Sequence, residues 1–291
     1  EFIASLSLKK EKIEAIGSHG QTIKHEPNSI PPFSRQIGNP QLISNKLGIK
    51  TIANFRDDDI AKGGQGAPLS PIFHKEVFAK ENKKRVIINI GGITNISLLG
   101  GAKLLGFDTG PGNCLLDIWT KKNKKGNYDN EGNWAKAGTV DQNLLDIMMK
   151  DNYFLLEPPK STGPDYFNLS WLQDCLMKLK REIDPRDTQA TLVELTASSL
   201  SNSLKRLKIV NENIYICGGG VHNKFLMRRI SSLLGEKCYT TDKLGLDPDY
   251  IEAICFAWLA YKRVNNIRFN MSEITGSNEK VFLGKVYLPS K

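Results

Sequence analysis

Residues 105–113, Leu105-Gly106-Phe107-Asp108-Thr109-Gly110-Pro111-Gly112-Asn113, hold one carboxylate among glycines where an apolar run gives way to a helical pattern. A carboxylate of this kind, with a reference pKa of about 3.9, is ionised at neutral pH. Glycine neighbours let a substrate approach the backbone closely. Two further clusters, Asn89-Ile90-Gly91-Gly92 and Cys217-Gly218-Gly219-Gly220, each follow an apolar run. One acid between two phosphate-sized gaps points to phosphoryl transfer.

Each of these features also has a plainer reading. Gly91-Gly92 fits a hairpin tip, where Gly-Gly is a favoured link, or a pair of backbone N–H groups facing a phosphate. Gly218-Gly219-Gly220 fits a tight strand-to-helix turn, and the helix N-terminus beyond it favours anions or polar nucleoside groups. Neither cluster is a Walker A loop, because no Gly-Lys-Ser/Thr follows. Asp108 could cap a helix, but four loop residues separate it from Asn113, the better-placed cap. Asp108-Thr109-Gly110 is shared with aspartic proteases, which pair two such aspartates; the chain has one copy, in a strand–helix context unlike that all-β fold. His19, in Gly17-Ser-His-Gly-Gln-Thr22, is either a structural hydrogen-bonder or a catalyst. Arg56 suits a bidentate grip on a carboxylate, and the aspartates 57–59 after it suit a solvated loop equally well.

The elements that must position these residues follow from periodicity. Residues 86–90 and 95–99 are β-branched apolar runs joined by Gly-Gly-Ile-Thr, a hairpin pattern. A third strand over 103–107 leads into the Asp108 loop, and a helix opens near Asn113. Helices are expected over 170–183, 188–207, 223–234 and 249–264, and strands over 213–217 and 238–241. This alternation implies an α/β protein with a mainly parallel, helix-covered sheet. The lobe junction is expected near residues 52–55.

Composition narrows the class. The 291 residues are 40% hydrophobic and 24% charged, as in ordinary globular proteins, with room for one large domain or two lobes around a cleft. No apolar run approaches the ~18 residues of a membrane span and no signal peptide is visible, so no membrane partner is expected. Net charge is +9, but the lysines are scattered and no basic helix carries interleaved aromatics, so nucleic acid is not an expected partner either. Five cysteines without a Cys-x-x-Cys pair read as reduced, cytoplasmic thiols. The four histidines show no metal-binding spacing. The chain opens on Glu1-Phe2 without a start methionine, which reads as a fragment or processed form.

Taken together, the segments resemble the anhydro-N-acetylmuramic acid kinase family of the sugar kinase, Hsp70 and actin superfamily. The matching residues are Gly17-Ser-His-Gly-Gln-Thr22, Phe55-Arg56, Asp59-Ile-Ala61, Gly63-Gly-Gln-Gly-Ala-Pro-Leu69, Asn89-Ile-Gly-Gly92 with Asn95, Asp108-Thr-Gly-Pro-Gly-Asn113 with Asp117, Pro159-Lys-Ser-Thr-Gly163, Asp184-Pro-Arg-Asp187, Cys217-Gly-Gly-Gly220 with Asn223, and Glu252-Ala-Ile-Cys-Phe-Ala-Trp-Leu-Ala260. The resemblance implies an actin-like (ribonuclease-H-like) two-lobe fold: a remnant of the N-terminal lobe over 1–53 with the tail 270–291 packing on it, and a C-terminal lobe over 54–269. It implies ATP-dependent, hydrolytic opening and phosphorylation of 1,6-anhydro-N-acetylmuramic acid in cell-wall recycling, with Mg²⁺ as cofactor, in a cytoplasmic homodimer. Asp108 would be the general base. His19, Arg56, Asp59, Thr109, Gly110 and Asn113 would contact the sugar, and Asn89, Gly91, Gly92, Asn95, Gly218, Gly219, Gly220 and Asn223 the nucleotide; the metal ligands are unassigned. Asn54 stands where the family usually has Asp. Nothing matches the family's leading Gly-x-Ser-x-Asp-Gly-type phosphate hairpin, so the chain is expected to turn over poorly, since phosphoryl transfer depends on positioned phosphate contacts.

Overall fold

The computed structural model describes residue 5 and residues 9–101, 104–209, 212–235 and 238–290. The chain divides into two compact units, Glu1–Leu69 with Glu252–Lys291, and Ser70–Ile251; the junction expected near residues 52–55 lies inside the first.

In the first unit, β1 (Ile16–Gly17) is followed by a hairpin of β2 (Gln21–Glu26) and β3 (Phe33–Ile37). Helix α1 (Pro40–Leu47) begins where Asn39 accepts the Leu42 N–H and Pro40 takes the first helical position, and stops at Gly48 with φ 66°, a left-handed residue that satisfies late carbonyls. β4 (Thr51–Ala53) then pairs parallel with β1. The aspartates 57–59, read above as a possible solvated loop, form the first turn of α2 (Asp57–Ala61), where negative charge is favoured by the helix dipole.

The second unit opens with α3 (Ser70–Phe78) and is built on β5 (Arg85–Ile90), β6 (Ile93–Leu99) and β7 (Leu105–Pro111). Helices α4 (Asn113–Lys122), α5 (Asn133–Lys136), α6 (Gln142–Met149), α7 (Leu169–Leu179) and α8 (Pro185–Arg206) follow, then β8 (Asn213–Cys217), α9 (Lys224–Leu234) and β9 (Cys238–Thr240). All five expected strands join one sheet, ordered β7-β6-β5-β8-β9; the expected start of the third, at 103, lies outside the described residues. The sheet is mixed rather than mainly parallel: β5–β6 and β6–β7 are antiparallel, β5–β8 and β8–β9 parallel. Hairpin links make the first half antiparallel, and helical crossovers the second parallel.

Alternation divides the sheet's side chains. Val86, Ile88, Ile90, Ile96, Phe107, Ile214 and Ile216 pack into one core with α4, α6, α7, α8 and α9. Ile87 and Ser97 point the other way, where His74 of α3 bonds the Ser97 hydroxyl at 2.8 Å. Two helices differ from their expected spans by three residues or more at one end. α8 starts three residues early because Asp184 accepts the Arg186 N–H and Pro185 occupies N1. α7 stops at Leu179 because Lys180 turns left-handed at φ 55°.

Helix α10 (Ile251–Val264) leads back into the first unit, with β10 (Phe269–Asn270), β11 (Lys280–Val281) and β12 (Lys285–Tyr287). β12 pairs antiparallel with β4, completing the three-stranded order β1-β4-β12.

Candidate active site

Strand register assembles the polar centre of the second unit. Asp108 stands opposite Asn95, Asn95 opposite Asn89, and Asn89 opposite Cys217. Directly opposed residues share a face, so a row of side chains from four strands crosses the sheet. Asp108 is not in a loop, as the sequence suggested: β7 runs on to Pro111, and a register shift between Thr94 and Asn95 keeps it paired with β6. Such a bulge re-aims side chains. Asp108 is 5% exposed. Its N–H donates to the Lys160 carbonyl at 3.2 Å, its carbonyl accepts the Tyr153 hydroxyl at 2.8 Å, and its Oδ2 accepts the Thr162 N–H at 3.0 Å. Asn95 accepts the Ser70 hydroxyl at 3.3 Å, and Asn89 the Cys217 thiol at 3.7 Å.

The remaining candidates near Asp108 serve the backbone. Thr109, the extra residue of that bulge, is fully buried, and its hydroxyl donates to the Thr94 carbonyl. Gly110, at φ 151°, would push a Cβ to 2.7 Å from the Phe154 ring. Asn113 does not cap α4. Gly112 takes the cap position, and Asn113 Nδ2 donates to the Ile90 carbonyl at 3.3 Å. The helix is capped instead by the hairpin tip: the Gly91 carbonyl accepts the Asn113 N–H, and the Gly92 carbonyl those of Gly112 and Cys114.

The room that a Cβ would have divides the glycines of the two clusters. A Cβ on Gly218 would lie 2.5 Å from Asn89 Oδ1, and one on Gly220 2.3 Å from Ile90 Cγ2. The fold itself demands these two. A Cβ on Gly91 or Gly92 meets nothing nearer than 3.6 Å, one on Gly219 meets nothing within 4 Å, and none of the three is left-handed. Among the described residues, nothing crowds a Cβ at 91, 92 or 219. Asn223 caps α9, its Oδ1 accepting the Leu226 N–H at 2.9 Å.

In the first unit, His19, Arg56 and Asp59 form a separate connected cluster. Arg56 points Nε and Nη2 at His19 Nε2, 3.3 and 2.9 Å away, and Nη1 donates to the Gly66 carbonyl at 2.7 Å. Since arginine only donates, His19 Nε2 accepts and Nδ1–H donates to the Gly20 carbonyl at 2.8 Å. Burial, then the Arg56 charge, lower the His19 pKa to about 4, so the ring is neutral at pH 7. Asp59 is wholly buried; Oδ2 accepts the Gly66 N–H and Oδ1 the Thr275 hydroxyl, both at 2.7 Å. Burial raises its pKa against these hydrogen bonds. Asn54, left-handed at φ 56°, donates to Asp57 and accepts the Tyr287 hydroxyl.

Three residues that touch Asp108 had no role in the sequence reading: Tyr153, Lys160 and Thr162. The Pro159-Lys-Ser-Thr-Gly163 run was the one signal for Lys160 and Thr162, and Tyr153 had none; spacing gives no hint that the run returns to β7. Asp117, on α4, has its pKa raised to about 6, chiefly by burial.

A family profile described as anhydro-N-acetylmuramic acid kinase matches residues 1–289. The anhydro-N-acetylmuramic acid kinase of Pasteurella multocida (strain Pm70) is 47% identical over all of this chain and 78% of its own length. Those of Coxiella burnetii (strain RSA 493 / Nine Mile phase I) and Shewanella sp. (strain ANA-3) are 44% and 46% identical, over 100% and 97% of this chain and 78% and 77% of theirs. Among solved structures, the activator of the 2-hydroxyisocaproyl-CoA dehydratase from Clostridium difficile with bound ADPNP aligns over 74% of this chain and 68% of its own, at 16% identity and a TM-score of 0.39. With the profile spanning nearly every residue and relatives this similar along the whole length, the chain belongs to the anhydro-N-acetylmuramic acid kinase family.

Proposed function

We propose that the chain is an ATP-dependent kinase that opens 1,6-anhydro-N-acetylmuramic acid with water and phosphorylates it to N-acetylmuramic acid 6-phosphate, a step in peptidoglycan recycling. The observation that carries this reading is the polar row at Asp108 beside glycines 91, 92 and 219, where nothing crowds a Cβ. Asp108 takes a proton from the water that attacks the anomeric carbon. The bond from that carbon to the bridging oxygen breaks, and the freed 6-oxygen attacks the γ-phosphate, releasing ADP. An ionised aspartate is a competent base once geometry positions it.

In this reading the open backbone at Gly91, Gly92 and Gly219 admits the phosphates, with the Asn89 and Asn95 amides beside them. Gly218 and Gly220 shape the turn, and Asn223 supports it as a helix cap. Asn113 holds the glycine tip, while Thr109 and Gly110 fix the strand that carries Asp108. His19 and Arg56 contact the sugar, and buried Asp59 holds Arg56 through the Gly66 peptide. Among the described residues no group of three or more His, Cys, Asp or Glu side chains could hold an ion, which fits Mg²⁺ carried mainly by phosphate oxygens, its usual mode in kinases. When bound, it neutralises charge on the transferring phosphate. We assign the reaction to the cytoplasm, where ATP is available, and to a homodimer.

The test is incubation with ATP, Mg²⁺ and the anhydro sugar in ¹⁸O-water. ADP release with ¹⁸O at the anomeric hydroxyl is expected. Calorimetric sugar binding without ADP would mark a binding protein instead, and product lacking ¹⁸O would remove the hydrolytic step.

A further inference from the structure

Asp108 lies on β7, an edge of the five-stranded sheet, so main-chain groups facing outward need partners from beyond the sheet. One connected segment supplies them. The Lys160 carbonyl accepts the Asp108 N–H, the Tyr153 hydroxyl donates to its carbonyl, and the Thr162 N–H reaches Oδ2. Lys160 also ties this segment to itself: Nζ donates to the Tyr153 carbonyl at 3.1 Å and stands 4.6 Å from the centre of the Tyr153 ring. The same Nζ lies 5.8 Å from the ring of Phe107, the residue before Asp108.

Lys160 is 5% exposed, and lysine is almost never so buried unless paired. A methionine would fill the same space without the cost of desolvating a charge. Burial, then the Arg206 charge, lower its pKa to about 8, while the carboxylates of Glu157 and Asp108 act in the opposite direction. Glu157 and, more weakly, Asp108 are the carboxylates that favour the charged form, and the hydrogen bonds through Tyr153 connect this cation to the Asp108 main chain.

We propose that Lys160 is a positioning residue for Asp108: its carbonyl and its ammonium, acting through Tyr153, clamp the Asp108 main chain and aim the Thr162 N–H at Oδ2. The inference rests on Asp108 being the base. Lys160→Met removes the charge and keeps the length, Lys160→Arg restores charge, and Tyr153→Phe removes one hydroxyl donor. Lys160→Met should lower kcat by about 10²-fold, the scale of a misplaced catalytic group, with the sugar KM within about threefold of the parent. Lys160→Arg should recover at least about tenfold of that loss, and Tyr153→Phe should lose about tenfold, carrying the kinetic test if the Met variant does not fold. In protein labelled with ¹³C at aspartate carboxyls, Asp108 should titrate at higher pH in Lys160→Met than in the parent, because a neighbouring cation favours the ionised form. An unmoved titration with kcat within about threefold of the parent overturns the proposal. So does an equal kcat loss in the Met and Arg variants when both melt well below the parent, the mark of a packing role. The titration is read without turnover: a parent chain that makes no ADP sinks the kinase reading, and the Asp108 resonance still decides the clamp.

Discussion

The two polar clusters are held in opposite ways. In the second unit, Asp108, Asn95 and Asn89 line up because three strands pair in one register, and the Asp108 carboxylate takes a main-chain N–H from a segment more than fifty positions on. In the first unit, His19, Arg56 and Asp59 are joined to one another and to Gly20 and Gly66 by a chain of short hydrogen bonds. The first arrangement presents a carboxylate on a rigid sheet; the second is a network whose members already satisfy one another. A sheet position tolerates little movement, whereas a hydrogen-bonded cluster can exchange one partner for a substrate group at small net cost. The difference predicts that changes at Asp108 act on turnover and changes at Arg56 on binding.

The largest effect should come from Asp108→Asn, which keeps the shape but cannot accept the water's proton. We expect kcat to fall by about 10³-fold or more, with the sugar Kd from calorimetry unchanged; near-normal kcat would end the contrast between the clusters. The glycines come next. Gly218→Ala should cost about 3 kcal/mol of stability in urea titrations, because it forces a side chain into φ 83° and against the Ile90 carbonyl. Gly219→Ala should leave stability within about 0.5 kcal/mol and raise the KM for ATP. Equal destabilisation by the two would mean that Gly219 is there for the turn alone.

Arg56→Lys should raise the sugar KM about tenfold with kcat little changed, because lysine cannot reproduce the fork aimed at His19 and Gly66. A fall in kcat alone would place Arg56 with Asp108 instead. The smallest effect is pH dependence of stability. His19 and His25 have pKa values lowered to about 4 and His74 to about 3, with burial the leading cause in each. The unfolded chain, titrating near 6.5, therefore binds more protons between pH 4 and 6.5, and stability rises with pH across that window. Asp59 acts in the other direction, since a carboxyl with a raised pKa loses its contribution as pH rises through it. Urea midpoints at pH 4.5 and 6.5 should show the histidine slope, and His25→Gln should reduce it.

Much of the fold was legible in the order of residues. The strands over 85–90, 93–99 and 213–217 are β-branched runs, and such runs report their own period. The helix ends were less so: Asp184-Pro185 is a cap followed by an N1 proline, a signal passed over in favour of the apolar stripe that begins later. The candidate residues were legible as a set, not as an arrangement. Asp108 read as a loop residue because glycine and proline at 110–112 suggest a break, and only pairing with β6 keeps that stretch extended. Thr109 entered through the resemblance alone, and its hydrogen bond to the Thr94 carbonyl depends on how β7 pairs with β6.

By itself the sequence determined which segments could be strands and helices, that one carboxylate sits among glycines, and which family those motifs resemble. These depend on residue type and short spacing, which survive without any knowledge of contacts. The tertiary structure decided what the motifs do. It set the register that brings Asp108 to Asn95 and Asn89, returned Lys160 and Thr162 to the edge of β7, and divided the glycines into those the backbone requires and those it leaves open. Pairing register, edge coverage and room for a Cβ are properties of atoms distant in the chain, and local periodicity contains no term for them.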